Sequence, residues 1–398
     1  MTRNSIKTVD GIAVERRILS AIRSVLGQAD TMIPLHEPEF AGNEWAYVKE
    51  CIDTGWVSSV GSYVDQIERD LAAFTGTAHA VATANGTAAL HICAILAGVE
   101  PGDEVLMPTL TFVATANAVS YAGAVPHFAD SEEQTLGVDA ERLETHLRET
   151  AELVGERCVN RRTGATIRAL VVMHAFGHPA DLDALAALCA RWKLVLIEDA
   201  AESLGSFYHG RHTGNVGVLA ALSFNGNKVM TTGGGGAILT NDPVLARRAK
   251  HLTTTARVPH RWNFVHDEIG YNYRLPNLNA ALGCAQLEQV PAMIARKRRL
   301  AERYADAFAH VEGVRFLTEP DGSRSNYWLN TIVLDSRHAD RHETVLAVLN
   351  DANYMSRPVW TLMHRLPMYA ACPCADVRTA ESLASRVVSI PSSPKLAD

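Results

Sequence analysis

An apolar run that ends in acid constrains this chain more than any other stretch: Trp192-Lys193-Leu194-Val195-Leu196-Ile197 leads straight into Glu198-Asp199-Ala200-Ala201-Glu202. With almost no polar alternation, it predicts a strand buried on both faces, as in a parallel sheet covered by helices. Ala169-Leu170-Val171-Val172-Met173 has the same character, and shorter apolar strands are expected at Val81 to Ala84, Val105 to Pro108, Pro126 to Phe128 and Ala237 to Leu239. Helical stretches such as Ala88 to Ala97 separate them. That alternation predicts an α/β fold with a mostly parallel sheet. Ligands of such sheets gather beyond the carboxyl ends of the strands, which marks Asp199 for attention. Alone, its default reading is a cap for the following helix.

The sequence has 398 residues, more than one small core usually takes, and it divides on its patterns into three parts. Residues 1–30 are expected to form an N-terminal helical segment, 31–290 a large domain and 291–398 a smaller α/β domain. Ile12 to Leu26 and Asn43 to Thr54 have helical spacing and stop at Gly27 and Gly55. Leu278 to Leu287 and Met293 to Phe308 read as two further helices, the second carrying Lys297-Arg298-Arg299 on what looks like a solvated face. A strand at Asn330 to Leu334 and a helix at Arg341 to Asn350 follow.

A net charge of −7 advertises neither a nucleic-acid surface nor an anionic-membrane surface. The seven cysteines are scattered and mostly embedded in apolar runs, which suits reduced thiols and a cytoplasmic setting. Met1 to Asp10 lacks the apolar core of a signal peptide, and no run reaches the roughly 20 apolar residues of a membrane span. Cys372-Pro373-Cys374 has no second pair or nearby histidine to complete four ligands, so no metal is expected.

The chemistry centres on Ser223-Phe224-Asn225-Gly226-Asn227-Lys228, followed after four residues by Gly233 to Gly236. A lone lysine between a polar turn and a glycine run is either an exposed turn charge or an amine kept to condense with a carbonyl. Asn85-Gly86-Thr87, between an expected strand and helix, resembles a phosphate cup of free amides and one hydroxyl. Lys228 to hold an aldehyde, Gly86, Thr87 and Ser223 for a phosphate, Asp199 for a ring nitrogen and Phe112 to stack on the ring together describe a pyridoxal 5'-phosphate site.

Across nearly its whole length the chain resembles the DegT/DnrJ/EryC1 family of fold-type-I pyridoxal phosphate enzymes, the sugar nucleotide aminotransferases. The matching stretches are Asn85 to Leu90, Glu198 to Glu202, Ser223 through Lys228, Gly270-Tyr271-Asn272-Tyr273-Arg274 with Ala280 to Gly283, and Leu366-Pro367-Met368-Tyr369 with Ser389-Ile390-Pro391. Stretches such as Glu202 to Ser206, His251 to His260 and Tyr354 to Met363 are similar to the subgroup that makes 4-amino sugars on the route to legionaminic acid and related nonulosonates. The resemblance implies Lys228 on the cofactor aldehyde, Asp199 on the pyridine nitrogen, Phe112 over the ring, and Gly86, Thr87 and Ser223 on the phosphate. Asn272 would reach that phosphate from a neighbouring subunit, making a homodimer with shared sites. Many relatives carry glutamine or histidine where this chain has Glu202, whose contact with the cofactor's phenolic oxygen then requires a proton on one partner.

The implied reaction moves the amino group of L-glutamate to C4 of a nucleotide-linked 2-acetamido-2,6-dideoxy-4-ketohexose. Sugar contacts are expected from Trp56, Ser58, Ser59 and His174 of one subunit and His260 and Arg261 of the other, each with an alternative role in turns or packing. Other ketosugar nucleotides, 3-keto or GDP-perosamine type, and a non-catalytic regulator that binds the cofactor stand as alternatives. Lys228 argues against the sugar dehydratases of the same scaffold, which carry histidine there. A dinucleotide-binding oxidoreductase fits poorly, because Gly233 to Gly236 precede a strand instead of a helix.

Overall fold

The computed structural model describes residues 13–398. The stretch read for a signal peptide lies outside the described residues, as does Ile12. In chain order the α-helices are α1 (Val14–Leu26), α2 (Glu44–Thr54), α3 (Ser62–Thr75), α4 (Gly86–Leu96), α5 (Val113–Tyr121), α6 (Ala140–Thr150), α7 (Leu182–Trp192), α8 (Pro243–Thr253), α9 (Asn277–Phe308), α10 (His342–Asp351) and α11 (Arg378–Ala384). Of the nine strands of the main sheet, two form a hairpin at the side of β4 (Ala151–Val154 and Arg157–Asn160), and the main path is built from β1 (His79–Thr83), β2 (Glu104–Pro108), β3 (Val125–Ala129), β4 (Thr166–Met173), β5 (Val195–Asp199), β6 (Leu219–Ser223) and β7 (Gly236–Thr240).

These seven strands lie in the order β1-β7-β6-β5-β4-β2-β3. All neighbours pair in parallel except β7, which runs antiparallel to both β1 and β6. The mostly parallel sheet expected from the apolar strands is therefore present, with β7 reversed by the return from the glycine run and the hairpin of residues 151–160 added antiparallel on β4. Helices cover both faces. Ile67 and Leu71 of α3 and Cys284 and Leu287 of α9 pack on one, while Ala89, Ile92 and Cys93 of α4 and Ala116 and Val119 of α5 pack on the other. Trp192 ends α7 instead of opening β5. Lys193 takes the left-handed conformation at φ 59° and turns the chain, so β5 starts at Val195.

A second sheet of β8 (Val314–Phe316), β9 (Asn330–Leu334), β10 (Arg357–Pro358) and β11 (Val387–Ile390) is antiparallel in the order β8-β9-β11-β10. Its core unites the two ends of the chain. Val14, Ile18, Ile22 and Val25 of α1 pack with Leu300 and Tyr304 of α9, Ile332, Leu349 and Ile390.

Two local expectations fail for identifiable reasons. The two helices read at Leu278 to Leu287 and Met293 to Phe308 are one: α9 runs unbroken for 32 residues through Pro291, because Val290, Met293 and Ile294 on either side are buried and hold the helix together. The expected division at 290/291 thus falls inside one helix. The basic run is not a solvated face either. Lys297 is fully buried, its Nζ donating to the carbonyls of Trp328 (3.1 Å) and Ser392 (2.5 Å). Arg298 forks onto Glu319 at 2.6 and 2.8 Å, and of the three only Arg299 points to solvent. None of the described helices is long and apolar enough to cross a membrane.

Candidate active site

Asp199 closes β5 at the carboxyl edge of the sheet, and burial there determines its chemistry. Thr115 of α5 donates to Oδ2 at 2.7 Å and the Ala201 amide to Oδ1 at 3.2 Å. Burial raises the Asp199 pKa above the usual carboxylate range, with the Thr115 and Ala201 hydrogen bonds and the charge of Lys228 pulling the other way. A buried carboxylate with no cation in contact is one that calls for a positively charged partner.

The phosphate end is formed where α4 begins beside β6. Asn85 caps α4 by accepting from Ala88 N–H at 2.8 Å, and helix geometry leaves the amides of Gly86 and Thr87 without an intrahelical acceptor. A Cβ on Gly86 would stand 2.8 Å from Ser223 Cβ, so glycine is needed for the helix start and the Ser223 hydroxyl to close on one point. An anion bound there meets the positive end of α4.

Lys228 follows β6 in a turn whose Lys228 N–H donates to the Asn225 carbonyl at 3.0 Å. Its Nζ donates to Glu202 Oε1 at 3.2 Å and lies 3.8 Å from the centre of the Trp328 ring. Glu202 accepts from Phe176 N–H at 2.9 Å through its other oxygen. Burial pushes the Glu202 carboxyl up to about 7, against the pull of Lys228 and the Phe176 amide. Asn85, Gly86, Thr87, Phe112, Asp199, Glu202, Ser223, Lys228, Trp328 and Trp360 all line one cavity of about 300 Å³. Phe112 stands at the N-cap of α5, half exposed, with its ring 6.4 Å from that of Trp360.

This donor set fits pyridoxal phosphate: an anion cradle at one end, a buried carboxylate at the other, an amine between them and an aromatic ring at the side.

The remaining candidates fall elsewhere. His174 is fully buried, with Nδ1 accepting from Ala180 N–H at 3.1 Å and Nε2 on Glu198 Oε2 at 3.0 Å. Glu198 also takes the amides of Gly214, Val216 and Gly217. Both ring nitrogens of His174 are thus spent inside the scaffold, and the expected sugar contact is corrected to a structural role. Trp56, Ser58 and Ser59 sit outside the Lys228 cavity. Their loop is fastened to the start of α9, where Asn277 donates to the carbonyls of Trp56 (2.7 Å) and Ser58 (2.6 Å), leaving the indole exposed. His260 and Arg261 occupy the exposed turn of the hairpin between Arg257 and His266, with Arg261 over the Trp262 ring at 4.2 Å. Asn272 is exposed and pairs with Thr254 through its backbone. Its neighbours Tyr271 and Tyr273 stack at 5.1 Å and pack on His91 of α4, which fixes the loop. Within one chain none of these residues reaches Lys228.

Sequence reasoning missed Trp328, Trp360 and Thr115. Thr115 had one available signal, its place one turn into the helix that Phe112 opens. The two tryptophans come from distant loops and carry no local pattern.

Comparison with known proteins agrees with this geometry. Residues 38–398 match the DegT/DnrJ/EryC1/StrS aminotransferase family. The chain is 36% identical to GDP-perosamine synthase of Vibrio cholerae over 92% of its length and 95% of that protein. It is 37% identical to the putative pyridoxal phosphate-dependent aminotransferase EpsN of Bacillus subtilis over 85% and 84% of the two chains. Among solved structures, the aminotransferase TlmJ of Streptoalloteichus hindustanus superposes with a TM-score of 0.81 at 30% identity, covering 91% of this chain and 93% of that one. The chain belongs to the DegT/DnrJ/EryC1/StrS aminotransferase family and is a pyridoxal phosphate-dependent aminotransferase of nucleotide-sugar biosynthesis.

Proposed function

We propose that this enzyme transfers the amino group of L-glutamate to C4 of a nucleotide-linked 4-keto-6-deoxyhexose, leaving 2-oxoglutarate. The observation that carries the reading is the placement of the Lys228 amine in one cavity with a buried Asp199 and an anion cradle at α4. When bound, pyridoxal phosphate supplies an aldehyde that condenses with amines and a ring that draws electrons from the carbon next to them.

The chain's own residues do the rest. Gly86, Thr87 and Ser223 hold the phosphate, and Asp199, oriented by Thr115, keeps a proton on the ring nitrogen. Lys228 holds the aldehyde at rest. Once released, Lys228 Nζ carries a proton from the amino donor's α-carbon and, in the second half of the cycle, delivers one to C4 of the sugar. Glu202, its carboxyl pushed up to about 7 by burial, is protonated part of the time near neutral pH and would share that proton with the phenolic oxygen of the cofactor. Phe112 covers one face of the ring and excludes water.

Asn272 completes the phosphate site of a second copy, so the active unit is a homodimer. Its position supports this: exposed, on a loop fixed by the stacked tyrosines, and remote from the cavity of its own chain. His260 and Arg261 on the exposed hairpin reach the sugar nucleotide of that same neighbouring site, and Trp56, Ser58 and Ser59 of the subunit that owns the site, lying outside its Lys228 cavity, meet the part of the ligand that extends beyond it. Similarity to GDP-perosamine synthases favours a GDP-linked sugar over the 2-acetamido sugar of legionaminic acid type. The deciding assay offers purified enzyme L-glutamate with GDP- and UDP-linked 4-ketosugars, with and without a 2-acetamido group, and measures 2-oxoglutarate and the aminated sugar. Turnover with none of them overturns the reading, and the preferred sugar assigns the substrate.

A further inference from the structure

The Lys228 amine has two neighbours of different kinds. Glu202, at 3.2 Å, can gain or lose a proton; the Trp328 ring face, at 3.8 Å, cannot. The indole is held on every polar edge. Its Nε1–H donates to the carbonyl of Asn227, the residue before Lys228, at 2.6 Å. Its backbone N–H donates to Asn326 Oδ1 at 2.7 Å, and its carbonyl accepts from the buried Lys297 at 3.1 Å. Phe176, whose amide fixes Glu202, stacks on the same ring with centroids 6.5 Å apart. The ring therefore shares its anchors with both ends of the Lys228–Glu202 contact.

We propose that Trp328 is a positioning residue for Lys228: its ring face is where the lysine amine rests whenever it is not joined to the cofactor. An ammonium over a desolvated indole face is attracted by the ring quadrupole. Such a contact keeps a long, rotamer-rich side chain beside the carbons between which it must move protons. The inference rests on the reading that Lys228 binds the aldehyde. The other charged or titratable groups facing the pair are Asp199 and Glu202 on the sheet side, His36 in the segment between α1 and α2, and Lys297 behind the indole. All of them stay in place in the variants below.

The test uses the cofactor-free protein. Pyridoxal phosphate is added, and the visible band that marks Lys228 joined to the aldehyde, with loss of water, is followed over a range of pH. In Trp328→Leu the amine loses its resting face. The rate at the high-pH plateau, where only positioning counts, falls about tenfold. The midpoint of the profile moves about one unit to lower pH, because the cation has lost its partner. Trp328→Phe keeps a ring face and restores most of both. Equal losses in the Leu and Phe variants with no change of midpoint overturn the inference and leave Trp328 a packing residue. If Trp328→Leu does not fold, successively fluorinated tryptophans placed at 328 weaken the ring face at nearly constant shape. A stepwise acid shift of the midpoint then supports the inference, and a constant midpoint overturns it. Absence of any visible band in the wild type overturns the role of Lys228 itself and this inference with it.

Discussion

Thr115 Oγ1 donates to Asp199 Oδ2 at 2.7 Å, joining the first turn of α5 to the carboxyl end of β5. The bond fixes which way the carboxylate faces in a pocket where burial already raises its pKa. Thr115→Val keeps the shape and removes the donor, so the Asp199 oxygen is left with less to hold it ionised. Single-turnover rates with L-glutamate should fall about tenfold. Asp199→Ala should cost about 10²- to 10⁴-fold and weaken cofactor binding. An unchanged rate in Asp199→Ala would reduce Asp199 to a helix cap.

Lys228→Ala and Lys228→Arg should each lower turnover by at least about 10³-fold, since neither offers an amine able to join and leave the aldehyde. Lys228 stands in a turn and is not part of the packed core, so circular dichroism and melting should change little. Amino transfer by well-folded Lys228→Ala at wild-type rates would remove the basis of the proposed mechanism.

Glu202 makes the stability of the cofactor-free protein depend on pH. Its folded pKa, about 7, lies above the 4.5 of an ordinary glutamate carboxyl. The folded state therefore holds the proton more tightly, and stability present below about 4.5 is lost as pH rises through about 7. Glu202→Gln keeps the acceptor for Phe176 N–H and cannot ionise. Compared at pH 8, it should be the more stable protein by an amount of order 2 kcal/mol, and the gap should close near pH 4.5. Parallel melting curves at every pH would show that Glu202 keeps its proton no more tightly folded than unfolded.

Shared sites have a complementation test. Lys228→Ala subunits and Asn272-loop variants, each inactive, should regain activity on mixing, because one of the two sites in a hybrid dimer carries neither lesion. At full subunit exchange half the dimers are hybrids with one good site each, so recovery approaches a quarter of wild type. No recovery despite demonstrated exchange would place Asn272 outside the partner's site.

Much of this site was legible in the sequence because local physics places it. A strand buried on both faces ends at the sheet edge where ligands bind, so Asp199 could be located from Val195 to Ile197 alone. Asn85-Gly86-Thr87 likewise carries its own helix start. The rest depended on distant partners. His174 looked available, but Glu198 and the Ala180 amide take both its nitrogens. Lys297 looked solvated among arginines, but carbonyls from residues 31 and 95 positions away draw it inside. Leu278 to Leu287 and Met293 to Phe308 looked like two helices, but the buried faces on either side of Pro291 outweigh one lost hydrogen bond and make them one. Trp328 meets Lys228 across one hundred residues of chain, which no local periodicity records.

Helix α1 has an implication for how the chain is made. Its apolar face, Val14, Ile18, Ile22 and Val25, packs with residues that include Leu300, Ile332, Leu349 and Ile390. During synthesis from the amino end, that face leaves the ribosome long before its partners exist. The strands of the main sheet are all present by Thr240 and can already pair, whereas this face first meets a partner at Leu300 and is closed only when Ile390 has been added. Helix α1 therefore docks after the main sheet that follows it in the chain, and its exposed stripe is what a nascent-chain chaperone would meet.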